Sequence, residues 1–235
     1  MLRVLYEDQE IIVVEKPVGM ESQSNSSFAP DMVSEIKKHI NKLCPTGKEP
    51  YVGVIHRLDK PVGGVMVYAK TKEAAASLSK QVQGTEMKKK YQAVLCGKPV
   101  DNVGNYVDYL LKDSRSNQSK IVEKGITGAK RAELSYRVLK TKIWQEREVA
   151  LVEVSLMTGR HHQIRVQFAA HGTPLWGDNR YNSEFCGNPV KKRYQIALAA
   201  CELTFTHPGT GRIMMFTAEP KGEAFSQFAQ DPGEI

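Results

Sequence analysis

At 235 residues the chain can bury a substantial core, and 41% hydrophobic with 25% charged residues is the balance of a folded globular protein, not of a disordered or fibrous one. Lys and Arg exceed Asp and Glu by 33 to 26, a net charge of +7, which favours a polyanionic partner over a membrane surface. The apolar run Ile11-Ile12-Val13-Val14 is far too short to span a bilayer and no signal-peptide pattern precedes it, so a cytoplasmic protein is expected.

The four cysteines, Cys44, Cys96, Cys186 and Cys201, are scattered, with no C-x-x-C pair and no histidine at zinc-ligand spacing. Neither a disulfide framework nor structural zinc is expected. No GxGxxG or GxxxxGK[ST] loop occurs, which argues against a nucleotide cofactor.

In chain order, Arg3 to Tyr6 and Ile11 to Val14 read as a hairpin of strands closed by the turn Lys16-Pro17-Val18-Gly19. The Ser-rich stretch Ser22 to Pro30 reads as a surface loop. Asp31 then caps a helix with Met32, Val33, Ile36, Ile40 and Leu43 on one face, ended by Pro45 and Gly47. Strand-like runs Tyr51 to Ile55 and Val65 to Ala69 flank a polar, Gly-rich insert, the kind of segment in which function concentrates.

Thr71 caps an Ala-rich helix reaching about Gln83, and Lys90 to Cys96 begins another strand. Asp113 to Lys120 reads as a loop. Ala132 to Leu139 and Val149 to Leu156 read as strands, the second placing Ala150, Val152, Val154 and Leu156 on one face. Thr158-Gly159 turns into a short helix, His161 to Ala170, with Ile164 and Phe168 inward, polar side chains elsewhere and Gly172 as terminator. Strands near Ile196 to Phe205 and Ile213 to Ala218 precede a short helix carrying Phe225 and Phe228. Many strands with few helices predict an α+β or mixed-sheet fold in a single domain, 1–235, without repeats or a linker.

Two segments carry chemistry. His56-Arg57-Leu58-Asp59 stands at a strand end; by itself it also reads as a local Arg57–Asp59 ion pair, a core Leu58 and a His56 that satisfies a backbone group. Thr158-Gly159-Arg160-His161-His162-Gln163-Ile164-Arg165 joins two arginines, two histidines and an amide to a glycine turn at a helix start, where N–H groups and the dipole suit an anion. An exposed basic helix face explains those arginines but not the crowding of Gln163 and the histidines at the turn.

Together with Lys90-Tyr91-Gln92, the segments HRLD (56–59) and GRHHQIR (159–165) resemble the three motifs of RluA-type RNA pseudouridine synthases. The similarity extends to Val14-Glu15-Lys16-Pro17-Val18-Gly19-Met20, to Gly172-Thr173-Pro174-Leu175-Trp176-Gly177-Asp178 with Tyr181, and to His207-Pro208 with Met215-Phe216-Thr217-Ala218, covering about residues 3 to 228. The resemblance implies a curved, mostly antiparallel mixed sheet with flanking helices and a central RNA-binding cleft, and no cofactor or metal. It implies that Asp59 is the nucleophile, that Tyr91 stacks on the target base and assists proton transfer, and that Arg165 pairs with the aspartate. Arg57 would fill the stack left by a flipped base, and His56, Arg160, His162, Gln163, Ile164 and Lys90 would join the RNA-binding surface. The substrate would be ribosomal or transfer RNA, and a monomer is the default.

The chemistry agrees with those roles. A stacked uridine hides its reacting atoms and must be extruded, which costs a few kcal/mol. A planar guanidinium stacked in the gap recovers part of that. The reaction breaks N1–C1′ and makes C5–C1′, so a carboxylate acts at C1′ or by way of a glycal, while C5 loses a proton for which a phenol is an acceptor or relay.

Two departures from the family pattern stand beside the site: Val62-Gly63-Gly64 replaces a Thr-Ser-Gly turn, and Gln167 stands where a histidine is usual. The motifs begin almost at Met1, so RNA affinity is expected from the catalytic domain without an S4-type domain in front. A rival reading is an RNA-binding or RNA-folding factor that keeps the cleft without the reaction. Another is a hydrolase pairing Asp59 with His56 or His162, although no G-x-S-x-G elbow is present.

Overall fold

The computed structural model describes residues 2–24, 30–43, 47–186 and 194–229. The first half comprises β1 (Arg3–Glu7), β2 (Ile11–Lys16), α1 (Met32–Leu43), β3 (Gly53–Val54), β4 (Gly63–Ala69), α2 (Lys72–Gln83), β5 (Lys88–Cys96) and β6 (Val103–Asp113). The second comprises β7 (Gln118–Val122), β8 (Lys130–Trp144), β9 (Arg147–Leu156), α3 (Gln163–Ala170), β10 (Leu198–Thr206), β11 (Ile213–Thr217) and α4 (Glu223–Ser226). This is an α+β fold whose sheet pairings are mostly antiparallel. Among the described residues no helix is long and apolar enough to cross a membrane.

Two compact units are present: Met1–Lys89 with Ala200–Glu219, and Lys90–Ala199 with Pro220–Ile235. In the first, β2 lies between β1 and β4, β4 also neighbours β10, and β11 pairs with β10. Every residue of β2 and β4 is buried, because both strands are interior to the sheet and covered on both faces. Ile11, Val13, Val65 and Val67 pack with Ala74 and Leu78 of α2 and with Leu203 and Phe205 of β10. Each such side chain contributes about 1.5–3 kcal/mol. Thr71 caps α2 by accepting the Ala74 N–H at 3.1 Å, and Asp31 caps α1 by accepting the Ser34 N–H at 2.7 Å.

In the second unit the order is β5-β9-β8-β6-β7. Central β9 buries Val149, Ala150, Leu151 and Val152 on both faces, while Leu156 is only half-buried, so the expected one-face alternation is too simple. Phe168 of α3 makes edge contacts with Tyr106 and Tyr136.

Several element readings are corrected. Leu43 is 65% exposed and does not share the buried face of α1. β3 has two residues where a five-residue strand was expected, and β4 starts at Gly63 instead of Val65. The Asp113 to Lys120 loop is the tip of a β6–β7 hairpin, and β6 was missed because its burial is partial along most of its length. α3 buries Gln163, Arg165 and Gln167 as well as its apolar residues, against the expectation that its polar side chains face outward. Parts of the Ser22 to Pro30 loop, Cys44 and Pro45 lie outside the described residues, as does Lys191-Lys192-Arg193, a basic run of the kind expected to meet RNA phosphates. Cys96, Cys186 and Cys201 are not joined in disulfides.

Candidate active site

Asp59, in the first unit, sits in a loop pinned on both sides. Before it, the Ser22 hydroxyl donates to the Leu58 carbonyl at 2.9 Å and accepts the Leu58 N–H at 3.0 Å, and Tyr68 fixes Ser22 by donating to its carbonyl at 3.0 Å. After it, the Lys60 carbonyl accepts the Gly19 N–H at 2.9 Å and the Lys16 ammonium at 3.2 Å. The Asp59 carbonyl itself closes a turn with the Val62 N–H at 2.9 Å. A half-buried carboxylate is thereby carried on a backbone with little freedom to move.

Lys16 is 1% exposed and also donates to the Pro17 carbonyl at 3.1 Å. Burial pushes its ammonium down to about 8, against the opposing pull of Asp59 and Glu21. A cation therefore stands within electrostatic reach of Asp59 in its own unit. The trace Lys16 leaves in the sequence is its place, with Glu15, directly after the apolar run Ile11 to Val14 of a strand that is buried throughout.

The glycine shared by the family turn and this chain is the one the geometry requires. Gly64 has φ +130°, and a Cβ there would stand 2.1 Å from the Ala200 carbonyl oxygen. Val62, where the family pattern has Thr, is 2% exposed, so an apolar side chain fits the buried position.

The other residues of HRLD separate. Arg57 is exposed and Leu58 is buried at 6%. His56 Nε2 accepts the Val67 N–H at 3.2 Å, and burial, helped by nearby Lys89, pushes the imidazole down to about 3. It is a neutral ring satisfying a backbone group.

In the second unit Tyr91 is 7% exposed on β5, opposite Val154 of β9, with half-buried Lys90 opposite Ser155. Arg165 rises from the first turn of α3 into a two-point fork on Asp178: Nε donates to Oδ2 at 2.8 Å and Nη2 to Oδ1 at 2.7 Å. The two side chains are 4% and 0% exposed, and the guanidinium also lies 5.2 Å from the Tyr181 ring centre. Leaving one member of such a buried pair alone costs about 3–5 kcal/mol. Asp178 was not expected as a partner of Arg165; a carboxylate directly after Gly177, at the end of the segment 172–178, is the trace it leaves in the sequence.

The turn before α3 is held by Gln163, whose Oε1 accepts the Arg160 N–H at 2.9 Å and the Thr158 hydroxyl at 2.8 Å while Nε2 donates to Glu133 O at 3.0 Å. With Gln163 at 3% and Ile164 at 4% exposure, both support the turn from inside rather than forming its outer surface. Arg160 is exposed and donates from Nε to the Arg131 carbonyl at 2.8 Å. His162 adopts a left-handed φ of 54°, stacks on His161 at 3.8 Å, and is pushed down to about 3 by burial and by Arg165, His161, Arg180 and Lys112. Gln167 is fully buried and donates to Asp108 at 2.7 Å. Among the described residues no group of three His, Cys, Asp or Glu side chains is placed to hold a metal ion.

The family model described as RNA pseudouridylate synthase matches residues 10–170. An RNA pseudouridine synthase of Aquifex aeolicus is 32% identical over 225 residues, 93% of this chain and 69% of that one. Ribosomal large subunit pseudouridine synthase C of Escherichia coli is 31% identical, covering 97% and 69%, and synthase D of Neisseria meningitidis serogroup A is 35% identical, covering 92% and 58%. The chain thus spans 58% to 69% of the length of these three relatives. Among solved structures, human RNA pseudouridylate synthase domain containing 4 superposes with a TM-score of 0.75 at 21% identity, covering 93% of this chain and 88% of that one. The chain belongs to the RNA pseudouridylate synthase family, in its RluA-type branch.

Proposed function

We propose that this protein converts uridines of structured RNA, ribosomal RNA first among them, to pseudouridine with Asp59 as its nucleophilic carboxylate. The observation that carries the reading is the Asp59 loop of a family member: a half-buried carboxylate whose neighbours Leu58 and Lys60 are both tied down, with a buried ammonium in reach. Ribosomal RNA is favoured over transfer RNA because the C and D relatives are named for the ribosomal large subunit.

In this reading Asp59 either bonds to C1′ as N1–C1′ breaks or removes the C2′ proton to give a glycal. The freed uracil turns and C5 bonds to C1′, as the Asp59–C1′ bond breaks on the first route or as Asp59 returns the proton to C2′ on the second; the C5 proton then leaves and N1 gains one, so the product is an isomer of the substrate. Tyr91 stacks against the base and relays the C5 proton, and Arg165 pairs with Asp59. Arg57, exposed beside the nucleophile, fills the stack. Lys90, Arg160, His56 and His162 belong to the RNA-binding region, the two histidines as neutral rings. Histidines held down to about 3 are poor bases at neutral pH, which weighs against hydrolysis by Asp59 with either one.

Mapping pseudouridine in total RNA from cells with and without this protein tests the reading. Loss of modification at one or a few ribosomal uridines is expected; loss confined to transfer RNA moves the substrate, and an unchanged map contradicts the activity.

A further inference from the structure

Arg165 is more constrained than a role in pairing requires, and Asp178 is the reason. The fork takes the Nε and Nη2 edge of the guanidinium, and the Tyr181 ring lies by the same group at 5.2 Å. A planar group held along one edge has the direction of its opposite Nη1 corner set. Asp178 is itself fixed: its Oδ1 accepts the Arg180 N–H at 2.9 Å and the Tyr181 N–H at 3.2 Å, so the carboxylate is the organising centre of the turn. Gly177 delivers it there. It has φ +72°, and a Cβ at that position would stand 2.3 Å from the Gln195 carbonyl oxygen, so no other residue brings the chain through at this point.

We propose that Asp178 is a positioning residue of the reaction: by holding the Nε and Nη2 edge of the Arg165 guanidinium it sets the direction in which the Nη1 corner of that catalytic arginine is presented. This rests on the reading of Arg165 as the partner of Asp59. Asp178 touches no reacting atom; it acts through Arg165, and its loss turns the guanidinium instead of removing it. Misaiming a group that acts at the reacting centre lowers kcat, whereas a purely structural buried pair lowers stability and leaves the turnover of folded enzyme alone.

The test measures tritium release from C5-tritiated total RNA of cells lacking the protein, with kcat, KM and the unfolding midpoint recorded for each full-length variant. Asp178→Asn keeps the size but turns an amide donor toward an arginine that only donates; kcat is expected to fall about 30-fold or more with KM within about threefold. Asp178→Glu restores the charge and is expected to recover part of kcat. Asp108→Asn removes a carboxylate that serves Gln167 and His171, leaves the fork untouched, and is expected to hold kcat within about twofold. Arg165→Met is expected to lose turnover.

Arg165→Met inactive with Asp178→Asn near wild type overturns the positioning role and leaves the catalytic reading standing. Active Arg165→Met removes the role of Arg165 and this proposal with it. If Asp178→Asn and Asp108→Asn lose midpoint alike and kcat alike, Asp178 is structural only. Should Asp178→Asn fail to fold, Asp178→Glu carries the same comparison: kcat lowered with KM kept supports the aim, and unchanged kcat overturns it.

Discussion

The Tyr181 hydroxyl lies 2.8 Å from Nδ1 of His162 while it accepts the Ser119 N–H at 2.8 Å, so one phenol joins β7 to the start of α3. The imidazole at its end, like that of His56 in the other unit, is held neutral. Both values, about 3, lie below the ordinary 6.5, so between them the unfolded chain binds more protons than the folded one. The stability these rings contribute is fully present above about pH 6.5 and is lost as pH falls toward about 3. The ring resonances of His56 and His162 should stay unchanged from about pH 8 to 5, and the urea midpoint should drop as pH is lowered below about 6. A ring titrating near 6.5 at either position contradicts the burial described.

Gly64→Ala should be severely destabilising, by more than about 3 kcal/mol, since the added methyl meets the Ala200 backbone as well as an unfavourable φ. Gly19→Ala, at φ +84° with nothing within 4 Å of the new atom, should lose only the conformational cost of about 1–2 kcal/mol. Urea unfolding of the two variants measures the difference, and equal losses would remove the close approach of β4 and β10 as the cause.

What was legible in the sequence had short-range causes. The hairpin of β1 and β2, the Thr71 and Asp31 caps and the end of α3 at Gly172, φ +83°, follow from local chemistry. HRLD and the α3 turn were visible as candidates, but their internal division was not: His56 and Gln163 point into the protein because of partners such as Val67 and Glu133, which are distant in sequence. Asp178 and Lys16 were hidden for the same reason, as each owes its importance to burial against residues elsewhere in the chain. β6 was hidden because a strand with half-exposed faces lacks a clean alternation.

RNA binding should weaken steeply with salt, because a protein of charge +7 holds a polyanion largely through phosphate contacts that release counterions. Within the Lys88-Lys89-Lys90 cluster, Lys88 is exposed, whereas burial pushes the Lys89 ammonium down. Lys88→Ala should therefore reduce the slope of log affinity against log salt by about 1 and Lys89→Ala by less. Filter binding across about 50 to 300 mM salt reads both slopes; an affinity indifferent to salt contradicts a phosphate-tracking surface.

Arg57→Ala should impair modification of a folded RNA more than that of a short unpaired oligonucleotide, by about tenfold or more in the ratio of kcat/KM, because only the folded RNA has a stack to refill. Exposure of Arg57 beside Asp59 is what makes the role available to it. Equal losses on the two substrates take Arg57 out of base extrusion.

The central claim is that Asp59 performs the isomerisation. Asp59→Asn keeps the side-chain size but removes the charge and the route through the carboxylate, so RNA affinity should persist while turnover vanishes. Uridine tritiated at C5 releases its label to water when C5 becomes the glycosidic carbon, so incubating such RNA with wild type and Asp59→Asn reads reaction and residue together. Release by wild type and none above background by Asp59→Asn is the predicted result; release by Asp59→Asn at the wild-type rate, or none by wild type on any cellular RNA, would contradict the account.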